Sequence, residues 1–200
     1  MPAAIGDRHE HTDARGGLRD DVQTLLQEDA DLRRGIAAQL LAEHFPDSLH
    51  NEILDAVGLS LGRVTPPPSR RDPRFREAVL EAYEFRCAVC GLDLKIGPAH
   101  FCLEAAHIRW HQADGPDEVS NGLALCVLHH KALDRGVIGV NEDRQVLVSA
   151  KLAGGAGREE LFLRHEGEPL HTPYSQDMLP RLEHIEWHRR EVFHEPARRE

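Results

Sequence analysis

Two short cysteine and histidine pairs carry the clearest chemistry in the chain: Cys87-Ala-Val-Cys90-Gly91 and Cys126-Val-Leu-His129. A two-residue gap lets two side chains of one tight turn reach the same ion. Two such pairs supply the four sulfur and nitrogen ligands that tetrahedral zinc prefers. The spacing predicts a structural Zn2+ held by Cys87, Cys90, Cys126 and His129. Cys102 has no partner at that spacing and is expected to be a small core residue of a strand. A second constellation, His107, Asn121 and His130, lies beside these ligands. Asn121 precedes Gly122, so a plain turn role is open to it as well.

The elements that must position these groups are legible from periodicity. FCLEAAHI, GLALCVL, GVIGV and QVLVS are short, apolar and partly β-branched, with Asn, Asp and Gly breaks, and predict strands. A strand ending at His107, a second at 122–126 and a helix from about Val127 make a strand–loop–strand–helix unit that brings His107, Asn121 and His130 to one cleft. Adjacent histidines on a helix point roughly 100° apart, so His129 and His130 can serve different ions. Asp72-Pro73 marks a helix start, and Phe75, Val79, Leu80 and Tyr83 follow at helical spacing. Helical spacing returns at Leu182, Ile185, Trp187 and Val192, where Trp187, His188 and Phe193 are expected to pack on the domain.

Upstream, Leu18, Val22, Leu25, Leu32, Ile36 and Leu40 predict one helix ending near Pro46. A shorter helix with Leu49, Ile53, Leu54 and Val57 on one face is capped by Asp47 or Ser48 and stopped by Gly58. Residues 62–72 hold three consecutive prolines and read as a semi-rigid linker. The expected organisation is a disordered tail (1–17), a helical hairpin segment (18–61), the linker (62–72) and a catalytic domain (73–200).

Composition narrows the class. Two hundred residues can bury a core without disulfides. No apolar run approaches the roughly 20 residues that span a bilayer, so no membrane association is expected. The first residues have neither the basic start nor the apolar stretch of a secretory signal, which predicts a cytoplasmic, reducing setting where cysteines bind metal. The net charge of -10 argues against a general DNA-coating protein. It is uneven, however: residues 1–62 hold 5 Arg against 12 Asp and Glu, whereas residues 63–90 hold 6 Arg against 4 acids. Those arginines form a modest phosphate-contact candidate.

The order CxxC, EAAHI, NG-L-LC, HH-K and LDRG resembles the HNH (ββα-metal) endonuclease superfamily over about residues 73–196. It is most similar to the nuclease domains of McrA-type enzymes that restrict modified DNA, including phosphorothioated DNA. AAQLLAEHFPDSLHNEILDAVGL resembles the helical segment that precedes the nuclease in the phosphorothioate-dependent group. The resemblance implies an α+β protein in which a helical hairpin precedes a zinc-knuckled ββα-metal domain. It implies that His107 activates water, Asn121 holds the loop and His130 binds one catalytic divalent ion, making the three a catalytic set. Such a site hydrolyses DNA phosphodiester bonds: a neutral imidazole takes the proton of the attacking water, and a divalent ion neutralises charge at the phosphate.

One departure bears on activity. Many HNH enzymes place Asp or His immediately before the general base as a metal ligand, and here that residue is Ala106. Glu104 is the nearest carboxylate, although strand alternation sets it opposite His107. An imidazole ligand favours Mn2+, Co2+ or Ni2+ at least as much as Mg2+. The rival reading is a catalytically weak zinc-stabilised DNA- or protein-binding module on an HNH fold. Lys131 and Arg135 are the expected phosphate contacts; Arg109, Trp110 and His111 line the DNA path or cap the core. Nothing in the chain resembles a modification-reading module, so recognition is expected from another domain or a partner chain.

Overall fold

The computed structural model describes residues 17–60 and 73–198. The expected linker at 62–72 and almost all of the expected tail fall outside those residues. Seven α-helices, five short 3-10 helices and three two-stranded antiparallel sheets make up the elements of the described residues. The helices are α1 (Asp20–Glu28), α2 (Ala30–His44), α3 (His50–Ala56), α4 (Pro73–Ala82), α5 (Val127–Asp134), α6 (Ala156–Leu161) and α7 (Leu182–Glu191). The strands are β1 (Lys95–Ile96), β2 (Ala99–His100), β3 (Leu103–His107), β4 (Gly122–Cys126), β5 (Ile138–Val140) and β6 (Val146–Val148).

The centre is the β3–β4 pair, in register from Leu103↔Cys126 to His107↔Gly122. Helix α4 covers one face with Phe75, Val79, Leu80 and Tyr83, all buried as their spacing predicts. The fit depends on Gly122, because a Cβ there would collide with the side chains of Val79 and Phe75. The Tyr83 hydroxyl donates to the Gly122 carbonyl at 3.3 Å across the same contact. Helix α5 packs on the other face and contributes Ala132 and Leu133 to the core. Gly136 ends it with φ 61°, and a Cβ there would strike the Val192 backbone. Helix α7 then lies against β5 and buries Ile185 and His188.

Three expectations need correction. The single helix predicted upstream is two, because the Asp29 carboxylate accepts from the Asp31 and Leu32 amides at 2.9 Å and caps a new helix there. The second helix is not capped by Asp47 or Ser48: both belong to a 3-10 turn (Asp47–Leu49), and the Ser48 hydroxyl donates to Asp134 instead. Cys102 is not a core strand residue, since it is exposed and has φ 62° just before β3.

The upstream helices dock beside α5. Gln112 donates to the Phe45 carbonyl at 3.2 Å, and the Arg135 guanidinium donates to Glu52 at 2.7 Å and to the Ser48 carbonyl at 3.1 Å. Two segments more than sixty residues apart in sequence thus meet beside α5 and the loop that holds Gln112.

Candidate active site and metal centre

The cysteine and histidine cluster forms where a tight turn meets the end of a strand. Residues 87–90 follow the end of α4, with the Ala88 amide bonded to the Ala124 carbonyl at 2.7 Å. That bond places Cys87 and Cys90 against Cys126, the last residue of β4, and His129 follows one turn into α5. One ligand atom from each of the four lies within 4.8 Å of the others. His129 Nδ1 lies 3.2 Å from Cys126 Sγ and 3.6 Å from Cys87 Sγ, while its Nε2 is 2.9 Å from the Leu161 carbonyl. Donation from Nε2–H to that carbonyl fixes the tautomer that leaves Nδ1 free to ligate. Hydrogen bonds from Cys126 and Cys90 push the Cys87 thiol far below its ordinary range, toward the thiolate that binds metal. Three cysteines and one histidine in this arrangement are compatible with zinc. Cys102 stands outside the cluster, as expected.

His130, the next residue, turns elsewhere. Its Nδ1 lies 2.7 Å from Glu104 Oε2 and its Nε2 lies 3.5 Å from Asp134 Oδ2. The contact to His130 holds the Glu104 carboxyl below the ordinary carboxylate range, against a smaller opposing effect of burial. Asp134 is buried and accepts from the Ser48 hydroxyl. The structure thus assembles an imidazole and two carboxylates on the α5 side of the sheet.

His107 leaves β3 on the other side, as the three-residue step from Glu104 dictates, so the contacts of His107 and those of His130 do not meet and the expected single cleft is not formed by them. Its ring stacks on Phe75 of α4 with centroids 4.0 Å apart and meets His111 edge-on at 5.9 Å. His107 Nε2 is 2.7 Å from Asp117 Oδ1. Asn121 is fully buried and ties the intervening loop: Oδ1 accepts from the Arg109 amide at 2.9 Å, and Nδ2 donates to the Arg109 and Pro116 carbonyls, each at 3.0 Å. Its backbone carbonyl also accepts from the Ile108 amide at 2.9 Å. The Arg109 side chain donates to the Ala113 carbonyl at 2.8 Å, and Trp110 packs edge-on against Trp187. Both residues therefore stabilise the loop.

Of the two expected phosphate contacts, Lys131 is exposed, whereas Arg135 is engaged with Glu52 and two backbone carbonyls. Sequence reasoning missed Asp117 and Asp134. Asp134 carried a readable signal, the i,i+4 step from His130 on a helix. Asp117 carried none, because a loop fold brings it to His107.

Comparison with known proteins fits this geometry. Residues 87–141 match the HNH endonuclease family, and residues 1–61 match the ScoMcrA-like DNA sulfur-binding domain family. The second match corrects the expectation that the chain lacks a modification-reading segment. No curated protein matches the chain. Among solved structures, one titled a modification dependent TagI restriction endonuclease is similar at 24% identity and a TM-score of 0.46; the match covers 69% of this chain and 42% of that one. The chain spans less than half the length of that protein. One chain thus joins a stretch that matches an HNH endonuclease family to a preceding stretch that matches a DNA sulfur-binding domain family.

Proposed function

We propose that the protein is a divalent-metal-dependent endonuclease that hydrolyses phosphodiester bonds of sulfur-modified DNA, in restriction of modified or foreign DNA. The observation that carries this reading is the co-occurrence, in one chain, of an HNH domain and a segment matching a DNA sulfur-binding family. In it, His107 takes the proton of the attacking water, and Asn121 fixes the loop that follows His107. His130 and Glu104, whose Oε2 stands 2.7 Å from His130 Nδ1, offer the nitrogen and oxygen donors that a divalent cation of the Mg2+, Mn2+, Co2+ or Ni2+ type accepts. Bound there, such a cation supplies neutralisation of charge at the scissile phosphate. Glu104 is the one carboxylate these contacts set beside Nδ1 of His130 to ease the ligand shortage raised by Ala106, since Asp134 faces the opposite ring nitrogen.

The Cys87, Cys90, Cys126 and His129 cluster holds Zn2+ in a structural role, its four side chains leaving no position open for substrate. It ties the turn after α4 to the β4–α5 junction, next to His130. Lys131 is the phosphate contact this reading retains. Arg135 is assigned to the joint between the two segments.

The test is cleavage of matched plasmids, one bearing backbone phosphorothioates and one unmodified, with Mg2+, Mn2+, Co2+ or Ni2+. The reading expects metal-dependent cutting with a clear preference for the sulfur-bearing plasmid. Equal cutting of the two would contradict recognition of sulfur.

A further inference from the structure

We propose that Arg76 of α4 and Lys131 of α5 form a clamp for a backbone phosphate of DNA beside Glu104 and His130. The inference rests on the reading of that pair as the cation site. Its ground is where the two cations stand. Arg76 is exposed on α4, and its Nη2 donates to the Leu103 carbonyl at 3.1 Å, which carries the guanidinium to the strand residue next to Glu104. Lys131 is exposed on α5 and directly follows His130. Both helices pack on β3, and each brings one cation to the same stretch of strand. Both charges reach the Glu104 carboxyl, where they add to the His130 contact that lowers its pKa against the opposing effect of burial.

A phosphate brought to this place meets the ionised Glu104 carboxylate, and like charges repel. Two flanking cations offset that repulsion. They matter here because the chain as a whole carries a net charge of -10, which gives DNA little general attraction. Among the described residues, neither Arg76 nor Lys131 is in a salt bridge, whereas Arg135 is met by Glu52 and Arg181 by Glu118 and Glu183. The Arg76 guanidinium keeps N–H donors beyond the one that Leu103 takes, and its planar fork suits two oxygens of one phosphate. The Lys131 ammonium acts as a point charge. Contacts of this kind hold the DNA backbone in place without reading bases.

The experiment measures binding of one short DNA duplex, with and without a phosphorothioate, across a salt series. It uses the zinc-replete full chain as parent, Arg76→Ala, Arg76→Lys and Lys131→Ala, with Lys151→Ala as an exposed cation outside the clamp. No further divalent ion is added, so binding is read apart from cleavage. Arg76→Ala and Lys131→Ala are each expected to reduce the slope of log affinity against log salt by about 0.9 and to weaken both duplexes by the same factor. Arg76→Lys and Lys151→Ala keep the parental slope. In nicking of phosphorothioate-bearing plasmid with Mn2+, Arg76→Ala is expected to lower kcat by about tenfold or more, and Arg76→Lys, which keeps the charge but not the fork, to recover only part of it. Lys131→Ala and Arg76→Lys remain informative should Arg76→Ala not fold. Parental slopes in both alanine variants overturn the proposal. So does an equal fall in Lys151→Ala, or full kcat in Arg76→Ala. Mn2+ binding without DNA, followed by electron paramagnetic resonance, tests the cation site separately: a parent that binds Mn2+ no better than His130→Ala sinks that reading, whatever the slopes show.

Discussion

His129 and His130 are neighbours in sequence and face different chemistry: His129 Nδ1 lies 3.2 Å from the Cys126 sulfur, whereas His130 Nδ1 lies 2.7 Å from a Glu104 carboxylate oxygen. One helical turn thus divides a sulfur-rich site from an oxygen-rich one. The two sites should therefore fail independently. His129→Ala is expected to lose zinc, and His130→Ala to keep it while nicking falls by about 10- to 100-fold and partly recovers at high Mn2+. Elemental analysis and metal titration of the two variants check this. Zinc lost from His130→Ala and kept by His129→Ala would reverse the assignment.

Removing the zinc should unfold more than the turn that binds it. The four ligands join α4, β4 and α5, and His129 also reaches the Leu161 carbonyl at the end of α6. Protein purified without added metal is expected to hold about one zinc per chain, as structural sites do. Cys87→Ser or a strong chelator should abolish cooperative unfolding of the 73–140 region, read by circular dichroism. Well-folded protein with less than about half an equivalent of zinc would contradict this.

Asn121 makes three side-chain hydrogen bonds from a fully buried position. Asn121→Ala would leave the Arg109 amide and two carbonyls unpaired, at roughly 1–3 kcal/mol for each unsatisfied group that water cannot reach. A fall in stability of about 2–4 kcal/mol is expected, with zinc retained. Denaturant unfolding of zinc-loaded protein measures it, and a change below about 0.5 kcal/mol, the level of ordinary surface substitutions, would mean that the loop does not depend on this side chain.

Burial lowers the pKa of His188 from 6.5 to about 4, opposed by its bond to the Leu133 carbonyl at 3.0 Å. Its folded value lies below its unfolded one, so the stabilisation from neutral His188 is complete above about pH 6.5 and is lost as pH falls toward 4. Each pH unit in that window costs up to about 1.4 kcal/mol. Stability should drop between pH 6.5 and 5 in the parent and less steeply in His188→Gln. Parallel profiles in the two proteins would show that His188 does not carry the effect.

Much of this was legible in the sequence because the signals are local. Two-residue gaps located the four side chains of the cysteine and histidine cluster, and period-two and helical spacing located β3, β4, α4 and α5. Alternation along β3 set Glu104 opposite His107, but the separation of His130 from His107 ran against the expectation of one cleft. What escaped was set by tertiary contact. Asp117 comes to His107 only because Asn121 folds the loop back. Arg135 looked like a free phosphate contact until Glu52 and Ser48, more than eighty residues earlier, were seen to meet it. The break at Asp29 was a local signal passed over: an Asp capping the two amides that follow outweighed an apolar period continuing through it.

The central claim, that His107 drives metal-dependent cleavage of DNA, is tested most directly by nicking of a phosphorothioate-bearing supercoiled plasmid by the parent and His107→Ala, each zinc-replete and titrated with Mn2+. The account predicts Mn2+-dependent nicking by the parent. In His107→Ala the rate should fall by about 10² or more, while DNA binding and zinc content stay at parental levels. Parental nicking by His107→Ala, or no nicking by the parent with any of Mg2+, Mn2+, Co2+ or Ni2+, would contradict it and favour a zinc-stabilised binding module on the same fold.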